Sequence, residues 1–393
     1  MKEWSLYHEL VFIKYGCTEG AEPRKKQMNN PLPIPQRKVT RQVKVGNVTI
    51  GGDAPIRIQS MCTTHTRDVD ATVAQIEQLT EAGCELVRVA CPKEEDARSL
   101  GAIKKRIKIP LVADIHFNHR FALIAIDEGV DKLRLNPGNI GAEDRIIEVV
   151  EKAKRHHIPI RIGVNGGSLE KDIRDQYGVT PRALVESAKR HIAILERYEF
   201  KDIIVSIKAS DVPTMVGAYQ LASQSFNYPL HLGVTEAGTL LRGSIYNAIG
   251  IGTLIQQGIG DTIRVSLTAD SREEIKVGKM ILEALGLRKG VRVISCPSCG
   301  RAEVDVFKLA GEVEDRAMRE LKDPLTLSVL GCVVNGPGEA HESDFGITGG
   351  KDKGMLYVDG TQQRVVDQSK LVDELFEEIK KKQNSQNASL PKP

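Results

Sequence analysis

The middle of the chain repeats one pattern of apolar and polar positions. A short run rich in β-branched residues ends in polar residues, a segment with helical periodicity follows, and then the next apolar run begins. Such alternation of strands and helices is typical of a parallel sheet. The strands predicted in this way are Ile56–Met61, Glu85–Ala90, Leu111–His116, Lys132–Asn136, Ile158–Val164, Ile203–Lys208, Leu230–Thr235 and Thr262–Leu267.

The connecting segments carry the signals of helices. The segment Asp68–Glu81 begins with acidic residues and stops before Gly83. Thr180-Pro181 suits the N-cap and first position of a helix that runs to Arg197, and Ser271 opens a run to Leu285. The strand–helix units over residues 51–290 match the length of a (β/α)8 barrel of the TIM type. An open doubly wound sheet is the alternative, but no GxGxxG motif follows the first strand, and the number of units favours closure.

This rhythm stops near Gly290, where we place a domain boundary. Residues 291–383 are predicted to form a small α+β module, with strands at Val291–Ile294 and Leu325–Val329 and helices at Asp305–Leu321 and Asp367–Lys382 around a glycine-rich stretch from Gly331 to Gly360. Residues 1–37 are predicted to be an N-terminal extension, partly disordered, and residues 384–393 a disordered tail. The barrel is expected to occupy residues 38–290.

Composition excludes several classes of function. Charged residues make up 27% of the 393 residues and the net charge is only +3, so no overall field favours nucleic acid or a membrane surface. Aromatic residues are 4%, too few for a base-stacking surface. No apolar run approaches the roughly 20 residues of a membrane span. Seven cysteines without a signal peptide indicate a reducing compartment, and we expect a cytoplasmic protein.

Charged and polar residues interrupt the predicted strands or follow them directly. Strands of a parallel barrel are buried on both faces and are normally almost continuous apolar runs. The cations that break this rule are Arg57, Arg88, Arg134, Arg161, Lys208 and Arg264. They are joined by Asp114, His116, Asn136, Asn165, Ser210, His231, Glu236 and Ser266. Because a buried unpaired cation is costly, each of them needs a carboxylate or an anionic ligand.

Two interpretations of these cations stay open on the sequence alone. Ion pairs with Asp114 and Glu236 would neutralise some of them, but the acids at strand ends are fewer than the cations. Active sites of this fold collect at the carboxyl ends of the strands, and arginine forks bind phosphate oxygens in pairs. A small, highly anionic substrate such as a diphosphate therefore fits better. The glycine loops at residues 136–139 and 165–168 are either ordinary turns or oxygen-binding loops.

A second candidate site lies in the C-terminal module. Cys296 and Cys299 form a CxxC pair, and Cys332 follows at a distance. Three thiolates are one short of the four ligands of a structural zinc site or a four-iron cluster. Glu339 lies seven residues after the last cysteine and is our candidate for a displaceable fourth ligand. The alternatives are a structural zinc site, buried thiols without a ligand role, and an exposed loop acid at Glu339.

At this point the residues match a known family. The chain resembles the 4-hydroxy-3-methylbut-2-enyl diphosphate synthases of the methylerythritol phosphate route to isoprenoids, in its bacterial two-domain form. The resemblance spans residues 38–380. It rests on the segments Gln59–Met61, Asp68–Gln75, Ala82–Ala90, Ala113–Phe117, Leu133–Asn139, Arg161–Ser168, His231–Gly238, Asp261–Leu267, Cys296–Arg301 and Cys332–Glu339.

The resemblance implies a specific chemistry. It implies a [4Fe–4S] cluster held by Cys296, Cys299, Cys332 and Glu339, and 2-C-methyl-D-erythritol 2,4-cyclodiphosphate as the substrate of a reductive ring opening with loss of water. It also implies two electrons from flavodoxin or ferredoxin, and a homodimer in which the cluster domain of one subunit closes over the barrel of the other. We expect the strand-end residues to bind substrate, Glu236 to handle the departing proton, and Glu339 to yield its position to substrate.

Two other classes of protein would fit parts of the pattern. A barrel transferase of the pterin-binding kind with a structural zinc would explain the fold and the cysteines. A pure electron carrier would explain the cysteines but would not need the strand-end cations. The colour of anaerobically purified protein separates them, because an iron–sulfur protein is brown and a zinc protein is colourless.

Overall fold

The computed structural model describes residues 36–321, 323–332 and 336–389. The chain divides into two compact units, the first ending at Leu285 and the second beginning at Gly286. Residues 1–35 of the predicted N-terminal extension and residues 390–393 of the predicted tail lie outside the described residues. Within the described part of the chain, no helix has both the length and the apolar character needed to cross a membrane.

The first unit is a parallel barrel preceded by a hairpin. The antiparallel hairpin consists of β1 (Val43–Val45) and β2 (Val48–Ile50). The barrel strands are β3 (Arg57–Met61), β4 (Leu86–Ala90), β5 (Leu111–Asp114), β6 (Lys132–Arg134), β7 (Ile160–Asn165), β8 (Ile203–Lys208), β9 (His231–Leu232) and β10 (Thr262–Ile263). Their order is β8-β7-β6-β5-β4-β3-β10-β9, with parallel neighbours throughout. This order confirms the predicted barrel.

Helices connect the barrel strands. They are α1 (Val69–Ala82), α2 (Glu94–Arg98), α3 (Leu100–Lys104), α4 (His119–Asp127), α5 (Glu143–Arg155), α6 (Lys171–Tyr177), α7 (Pro181–Arg197), α8 (Val212–Ser225), α9 (Leu240–Gln256) and α10 (Ser271–Ala284). Asp68 caps α1 and Thr180 caps α7 through their side chains, as the sequence predicts. The cap of α10 is Asp270, one residue before the predicted start.

The seam between β8 and β9 closes the barrel in an unusual way. Only an isolated bridge between Val205 and Leu230 joins the two strands. The buried hydroxyl of Tyr219, on α8, takes over the next backbone bonds: it accepts the N–H of Ile207 at 3.0 Å and donates to the carbonyl of His231. Burial raises the pKa of Tyr219 to about 12, so the hydroxyl remains a donor. A side chain from an outer helix thus satisfies two strands that do not pair directly.

The two faces of the barrel strands differ in polarity. Residues that face the helices are mostly apolar, as where Ile58 packs against the position of Gly278 on α10. Residues that face the interior are largely polar. The side chain of Lys132 reaches Gln59 on the far strand β3, and Arg88 contacts the sulfur of Met61. The hydrophobic effect therefore stabilises the outer layer, while the interior depends on polar contacts.

The hairpin lies at the amino end of the barrel strands. Its residues Val43, Val45 and Ile50 are buried together with Leu86 and Ile204, which occupy the first and second positions of β4 and β8. The sequence carried a signal for this hairpin that our prediction did not use, since residues 43–50 alternate in polarity around Gly46-Asn47. With the amino end covered by apolar residues, the polar interior opens toward the carboxyl ends of the strands.

The second unit is a mixed sheet with helices. Its strands are β11 (Val291–Ser295), β12 (Leu325–Leu330), β13 (Phe345–Gly349), β14 (Lys353–Val358) and β15 (Thr361–Asp367), in that order in the sheet. The pairs β11–β12 and β12–β13 are parallel, and the last two pairs are antiparallel. The helices are α11 (Val306–Glu320), α12 (Gly336–His341) and α13 (Leu371–Ser389).

This unit departs from the predicted elements in three places. The glycine-rich stretch contains β13 and β14, which the sequence analysis did not predict, because Gly346 and Gly354 lie inside these strands and glycine normally argues against a strand. The predicted helix at Asp367 begins only at Leu371, after a 3-10 turn. It then extends to Ser389 rather than ending at Lys382, so residues 384–389 of the predicted disordered tail are helical.

The role of Tyr219 in the seam yields a prediction. Replacing Tyr219 with Phe removes the hydroxyl and leaves a buried N–H and a buried carbonyl unpaired. We expect the free energy of unfolding to fall by about 1–3 kcal/mol, measured by urea denaturation. The control is Tyr198→Phe, which removes a hydroxyl bound to the exposed Glu143 and should change stability by less than about 0.5 kcal/mol. Equal stability of the two variants would contradict this account of the seam.

Candidate functional site

Asp114 is the acidic centre of the carboxyl end of the barrel. It is the last residue of β5, and it lies 3.6 Å from Nε of Arg88, 3.1 Å from a terminal nitrogen of Arg134 and 3.7 Å from Nε2 of His116. Burial opposes its ionisation, but Arg88, Arg134 and other cations outweigh burial and lower the pKa of Asp114 to about 2. Asp114 is therefore a permanent anion that gathers two arginines from neighbouring strands.

Arg134 is held against the backbone of the next strand. It is the last residue of β6, and it donates to the carbonyl of Gly163 on β7 at 3.0 Å. A methyl group at position 163 would lie 2.5 Å from Nε of Arg134. Only glycine at this position leaves room for the guanidinium to cross β7.

The side chain of Asn136 is hydrogen-bonded to the same strand, β7. Its side-chain amide donates to the carbonyl of Gly163 at 3.0 Å, and its side-chain oxygen accepts the N–H of Gly163 at 2.8 Å. Our sequence interpretation assigned Asn136 to substrate. The structure instead uses both ends of its carboxamide to continue the β6–β7 pairing beyond the strand.

Arg264 is fixed from outside the barrel. Its guanidinium donates to Oε1 of Glu274 on α10 at 3.3 Å. The same carboxylate accepts the hydroxyl of Ser60 at 2.8 Å and the backbone N–H of Leu267 at 3.2 Å. Glu274 is buried, and it ties together β3, the segment after β10, and the arginine.

The other predicted residues at this end of the barrel are closer to solvent. Lys208 ends β8, Asn165 ends β7, and Ser266 follows β10; these three are partly buried. Ser210 and His116 are exposed. Burial and nearby arginines lower the pKa of Lys208 well below its usual value.

Glu236 follows β9 and has a distinctive backbone. It is exposed, and its φ of 54° is in the left-handed region that non-glycine residues rarely adopt. Its carboxylate makes no ion pair with any residue of the described chain. Backbone strain of this kind collects at functional sites.

Arg161 and His231 lie deeper than the other predicted residues. Arg161 is fully buried on β7, and all three of its guanidinium nitrogens lack a hydrogen-bond partner among the described residues. His231 begins β9, is buried, bonds Thr262 through Nδ1 at 2.7 Å and leaves Nε2 without a partner. Buried donors without partners are costly, so this layer of the barrel is built to receive an acceptor such as an oxyanion or water.

Arg57 does not join this group. It is the first residue of β3, at the amino end, and it forms an ion pair of 2.8 Å with Glu85. Our sequence interpretation counted it with the strand-end cations because the pattern does not show how far along a strand the anion site lies. The structure gives Arg57 the internal ion pair that was the alternative.

Two of the candidate cysteine ligands, Cys296 and Cys332, follow the carboxyl ends of neighbouring strands in the second unit. Cys296 directly follows β11, and Cys332 lies two residues after β12. Since β11 and β12 are parallel neighbours, their carboxyl ends lie together, and the N–H of Cys296 bonds the carbonyl of Val329 at 3.2 Å. A methyl group at Gly331 would lie 3.6 Å from Sγ of Cys296 and only 2.4 Å from the side chain of Val306, so the surrounding side chains leave little room there for a larger residue.

The loop that carries Cys299 favours a thiolate. Backbone and side-chain hydrogen bonds from Arg301 lower the pKa of the Cys299 thiol, which is exposed. Cys296 and Cys332 are partly exposed, and none of the three is in a disulfide. Glu339 is exposed on α12, whose first turn contains Gly336 and Gly338, so this part of the glycine-rich stretch is helical.

The donor set fits an iron–sulfur cluster in its chemistry. Cysteine sulfurs outside any disulfide suit iron and sulfide, and a carboxylate a few residues after Cys332 suits an exchangeable position. Within the described residues, no three His, Cys, Asp or Glu side chains converge as a ready-made metal site.

Several residues that organise the barrel site were missed by sequence reasoning. Glu274 looks like a surface acid, although it shares a helical face with Ile275 and Gly278, and an acid on an apolar face is a usable signal. Lys132 opens β6 and was read as a strand boundary. Tyr219 has no sequence signal, because only the geometry of the β8–β9 seam requires its hydroxyl.

Gly163 gives a direct test of the arginine arrangement. The change Gly163→Ala would force Arg134 away from β7 and from Asp114. We expect binding of inorganic diphosphate to weaken roughly tenfold, or about 1.4 kcal/mol, in isothermal titration calorimetry. The control Gly311→Ala, on α11, whose added methyl meets nothing within 4 Å, should bind normally. Normal binding by the Gly163 variant would show that the position of Arg134 does not matter for anions.

Comparison with known proteins gives a consistent result. The model "GcpE TIM-barrel domain" matches residues 40–279, and "GcpE protein C-terminal domain" matches residues 292–381. The chain is 56% identical over 350 residues to the 4-hydroxy-3-methylbut-2-en-1-yl diphosphate synthase (flavodoxin) of Caldanaerobacter subterraneus subsp. tengcongensis, covering 88% of this chain and 98% of that one. It is 56% identical over 345 residues to the protein of the same name from Listeria monocytogenes, covering 87% and 94%.

Among solved structures, the chain is similar to a dihydropteroate synthase from Stenotrophomonas maltophilia. The identity is 13% and the TM-score 0.46, over 64% of this chain and 100% of that one. That similarity is too weak to bear on function. The family models and the relatives show that the chain belongs to the GcpE family, the family of 4-hydroxy-3-methylbut-2-en-1-yl diphosphate synthases.

Proposed function

We propose that the chain converts 2-C-methyl-D-erythritol 2,4-cyclodiphosphate to 4-hydroxy-3-methylbut-2-enyl diphosphate by reductive ring opening and dehydration. The reaction consumes two electrons and two protons and releases one water. The observation that carries the proposal is the fully buried guanidinium of Arg161 without a partner among the described residues. A buried cation in that state needs an anion, and a cyclic diphosphate supplies one.

In this proposal, the barrel residues bind the diphosphate. Arg88, Arg134, Arg161 and Arg264 supply positive charge, and Asp114 and Glu274 neutralise only part of it. Lys208 lies at the same end of the barrel as a further hydrogen-bond donor. These acids also orient the arginines before substrate arrives, so little reorganisation is needed on binding. The remaining charge stabilises the diphosphate oxygen as its bond to carbon breaks. His116, Asn165, Ser210, His231 and Ser266 are the candidates for positioning the sugar hydroxyls.

Glu236 is proposed to handle the proton that leaves with water. Its carboxylate is exposed and is not neutralised by any cation within the described chain, so it is available to a substrate hydroxyl. The left-handed backbone at this residue sets the direction of the side chain at the end of β9. A carboxylate at this position can give or take a proton as the C–O bond is cleaved.

The cysteines of the second unit are proposed to hold the redox group. Cys296, Cys299, Cys332 and Glu339 would hold a [4Fe–4S] cluster, which supplies the electrons and a Lewis-acidic iron when bound. Hydrogen bonds from Arg301 lower the pKa of Cys299, which favours the thiolate form that metal binding requires. Glu339 is the hardest and most exchangeable of the four donors, and its exposure on a short helix suits a ligand that can leave. Flavodoxin, named in the relatives, or ferredoxin would deliver the electrons.

One experiment separates the two parts of the proposal. Arg161→Met should weaken binding of the cyclic diphosphate at least tenfold, or about 1.4 kcal/mol, and keep the visible iron–sulfur absorption. Cys332→Ser should lose that absorption and the anaerobic activity with a reductant, yet still bind the cyclic diphosphate. Binding is followed by calorimetry without reductant.

The opposite results are equally clear. Undiminished binding by the Arg161 variant would show that the barrel interior is not the diphosphate site. Full turnover by the Cys332 variant would show that the cysteines of the second unit do not hold the redox group. Colourless wild-type protein with one zinc per chain would favour the transferase alternative.

We also propose that the chain forms a homodimer through α9. Leu241, Ile245 and Ile249 follow one another at one-turn intervals on this helix, with side chains 76%, 48% and 54% exposed. Over its 17 residues, α9 carries Arg242 as its one charged residue. An uncharged apolar face suits contact with a second copy of itself, because a two-fold interface brings each residue close to its own equivalent.

The dimer proposal is tested by Leu241→Asp. A buried carboxylate at the interface is costly, so sedimentation should show a mass close to that of one chain. The matched control is Met280→Asp, an exposed apolar residue on the neighbouring helix, which should leave the wild-type mass. A Leu241 variant that stays dimeric would move the interface elsewhere, and a monomeric wild type would end the dimer proposal.

A further inference from the structure

Lys132 is a buried lysine that the proposed mechanism does not use. It is the first residue of β6, its side chain faces the barrel interior, and it is 0% exposed. Its side-chain nitrogen makes one hydrogen bond, to Oε1 of Gln59 on β3, at 3.3 Å. Within the described chain, no carboxylate lies within ion-pair distance of it.

The groups that face Lys132 are cationic or neutral. They are Arg161 on β7 and Arg88 on β4, together with His231 on β9 and the amide of Gln59 on β3. The buried acid of this interior, Asp114, is already engaged by Arg88 and Arg134. A protonated Lys132 would therefore add a further positive charge to a layer that already has an unpartnered guanidinium.

The two kinds of cation respond differently to this surplus. A guanidinium does not lose its proton in a protein, so Arg161 stays charged. An ammonium can lose its proton when burial and like charges make the charged form costly. Both effects act here: burial first, and then Arg161 and Arg88, lower the pKa of Lys132 well below its usual value.

We propose that Lys132 is a neutral amine while the barrel interior holds no anion, and that it takes up one proton from solvent when the diphosphate binds. This inference rests on the proposed function, since it needs a diphosphate at Arg161. The new ammonium then faces the oxyanion together with Arg161 and Arg88. Lys132 is a ligand-binding residue in this account, because its charge appears only when the ligand is bound and then helps to hold the ligand.

The geometry explains why the barrel would carry a lysine here. A third permanent cation beside Arg88 and Arg161 would destabilise the free protein, whereas a neutral amine hydrogen-bonded to Gln59 costs little. In the complex, the bound ligand therefore faces one more positive charge than the free protein carries. Gln59 supplies an acceptor without a charge, so it holds the amine and does not fix its protonation state.

The linkage fixes the sign of the pH dependence. A group whose pKa is raised by the ligand binds more protons in the complex than in the free protein. Between the free-state and bound-state pKa values of Lys132, affinity for the diphosphate therefore falls as pH rises, by tenfold per pH unit for one proton. Below the free-state pKa, Lys132 is charged in both states and this dependence disappears.

Calorimetry measures the proton directly. The full-length protein is titrated anaerobically, without reductant, with 2-C-methyl-D-erythritol 2,4-cyclodiphosphate near neutral pH in buffers of different ionisation enthalpy. This ligand is a suitable probe because each phosphorus bears only one acidic group, and both groups are fully ionised at this pH. The observed enthalpy should rise with buffer ionisation enthalpy with a slope that corresponds to about one proton taken up.

Two variants assign the proton to Lys132. Lys132→Met should still bind, more weakly, with the slope reduced to zero. Gln59→Glu leaves Lys132 in place but gives it a carboxylate at hydrogen-bond distance, so the ammonium is already formed and the slope should again vanish. The second variant keeps the test valid if the first does not fold.

Two control variants address the other groups that titrate nearby. His231→Asn and Lys208→Met each remove one alternative acceptor of the proton, and both should keep the slope of the wild type. A slope lost in either control, or one that persists in Lys132→Met or Gln59→Glu, would overturn the assignment.

The wild type separates failure of this inference from failure of the proposed function. Binding with no dependence on buffer would overturn the role of Lys132 and leave the diphosphate site in place. No binding of the cyclic diphosphate at all would overturn the proposed function, and this inference with it.

Discussion

The barrel interior carries more positive charge than its acids neutralise, and most of the site follows from that surplus. Asp114 draws Arg88 and Arg134 together from adjacent strands, and Glu274 reaches in from α10 to hold Arg264. Arg161 is left without a partner among the described residues. Buried charges are rarely needed for stability alone, because apolar residues of similar volume often stabilise a protein as well or better. The surplus of buried cations in this barrel is therefore best explained by the binding of an anion.

The surplus has structural consequences beyond the charged residues themselves. The side chain of Arg134 needs the space that Gly163 leaves, and Asn136 repairs the pairing beside it. Tyr219 carries the backbone bonds across a seam where the strands do not pair. The hydrophobic contribution to the free energy of folding comes instead from the outer layer of helices and from the hairpin at the amino end. Stability and binding thus rest on different faces of the same strands.

Much of this arrangement was visible in the sequence, for identifiable reasons. Strand–helix alternation and helix caps at Asp68 and Thr180 depend on local chemistry, so the barrel and its helices could be predicted. The strands of the second unit that contain Gly346 and Gly354 could not, because their pairing partners and not their own propensities make them strands. The sequence also does not show at which end of a strand a residue lies. Arg57 and Arg134 have similar sequence surroundings, yet Arg57 lies at the amino end of its strand and Arg134 at the carboxyl end.

The sequence by itself determined the fold class, the family resemblance, the polar character of the strand ends and the spacing of Cys296, Cys299 and Cys332. These properties depend on residue type and on order along the chain. Only the tertiary structure decided which groups meet: Glu274 with Arg264, Asn136 with Gly163, Glu85 with Arg57, and Lys132 with no acid among the described residues. The reason is physical. Partners separated by tens or hundreds of residues are brought together by strand register and barrel closure, and the charge state of a buried group depends on those partners and not on its neighbours in sequence.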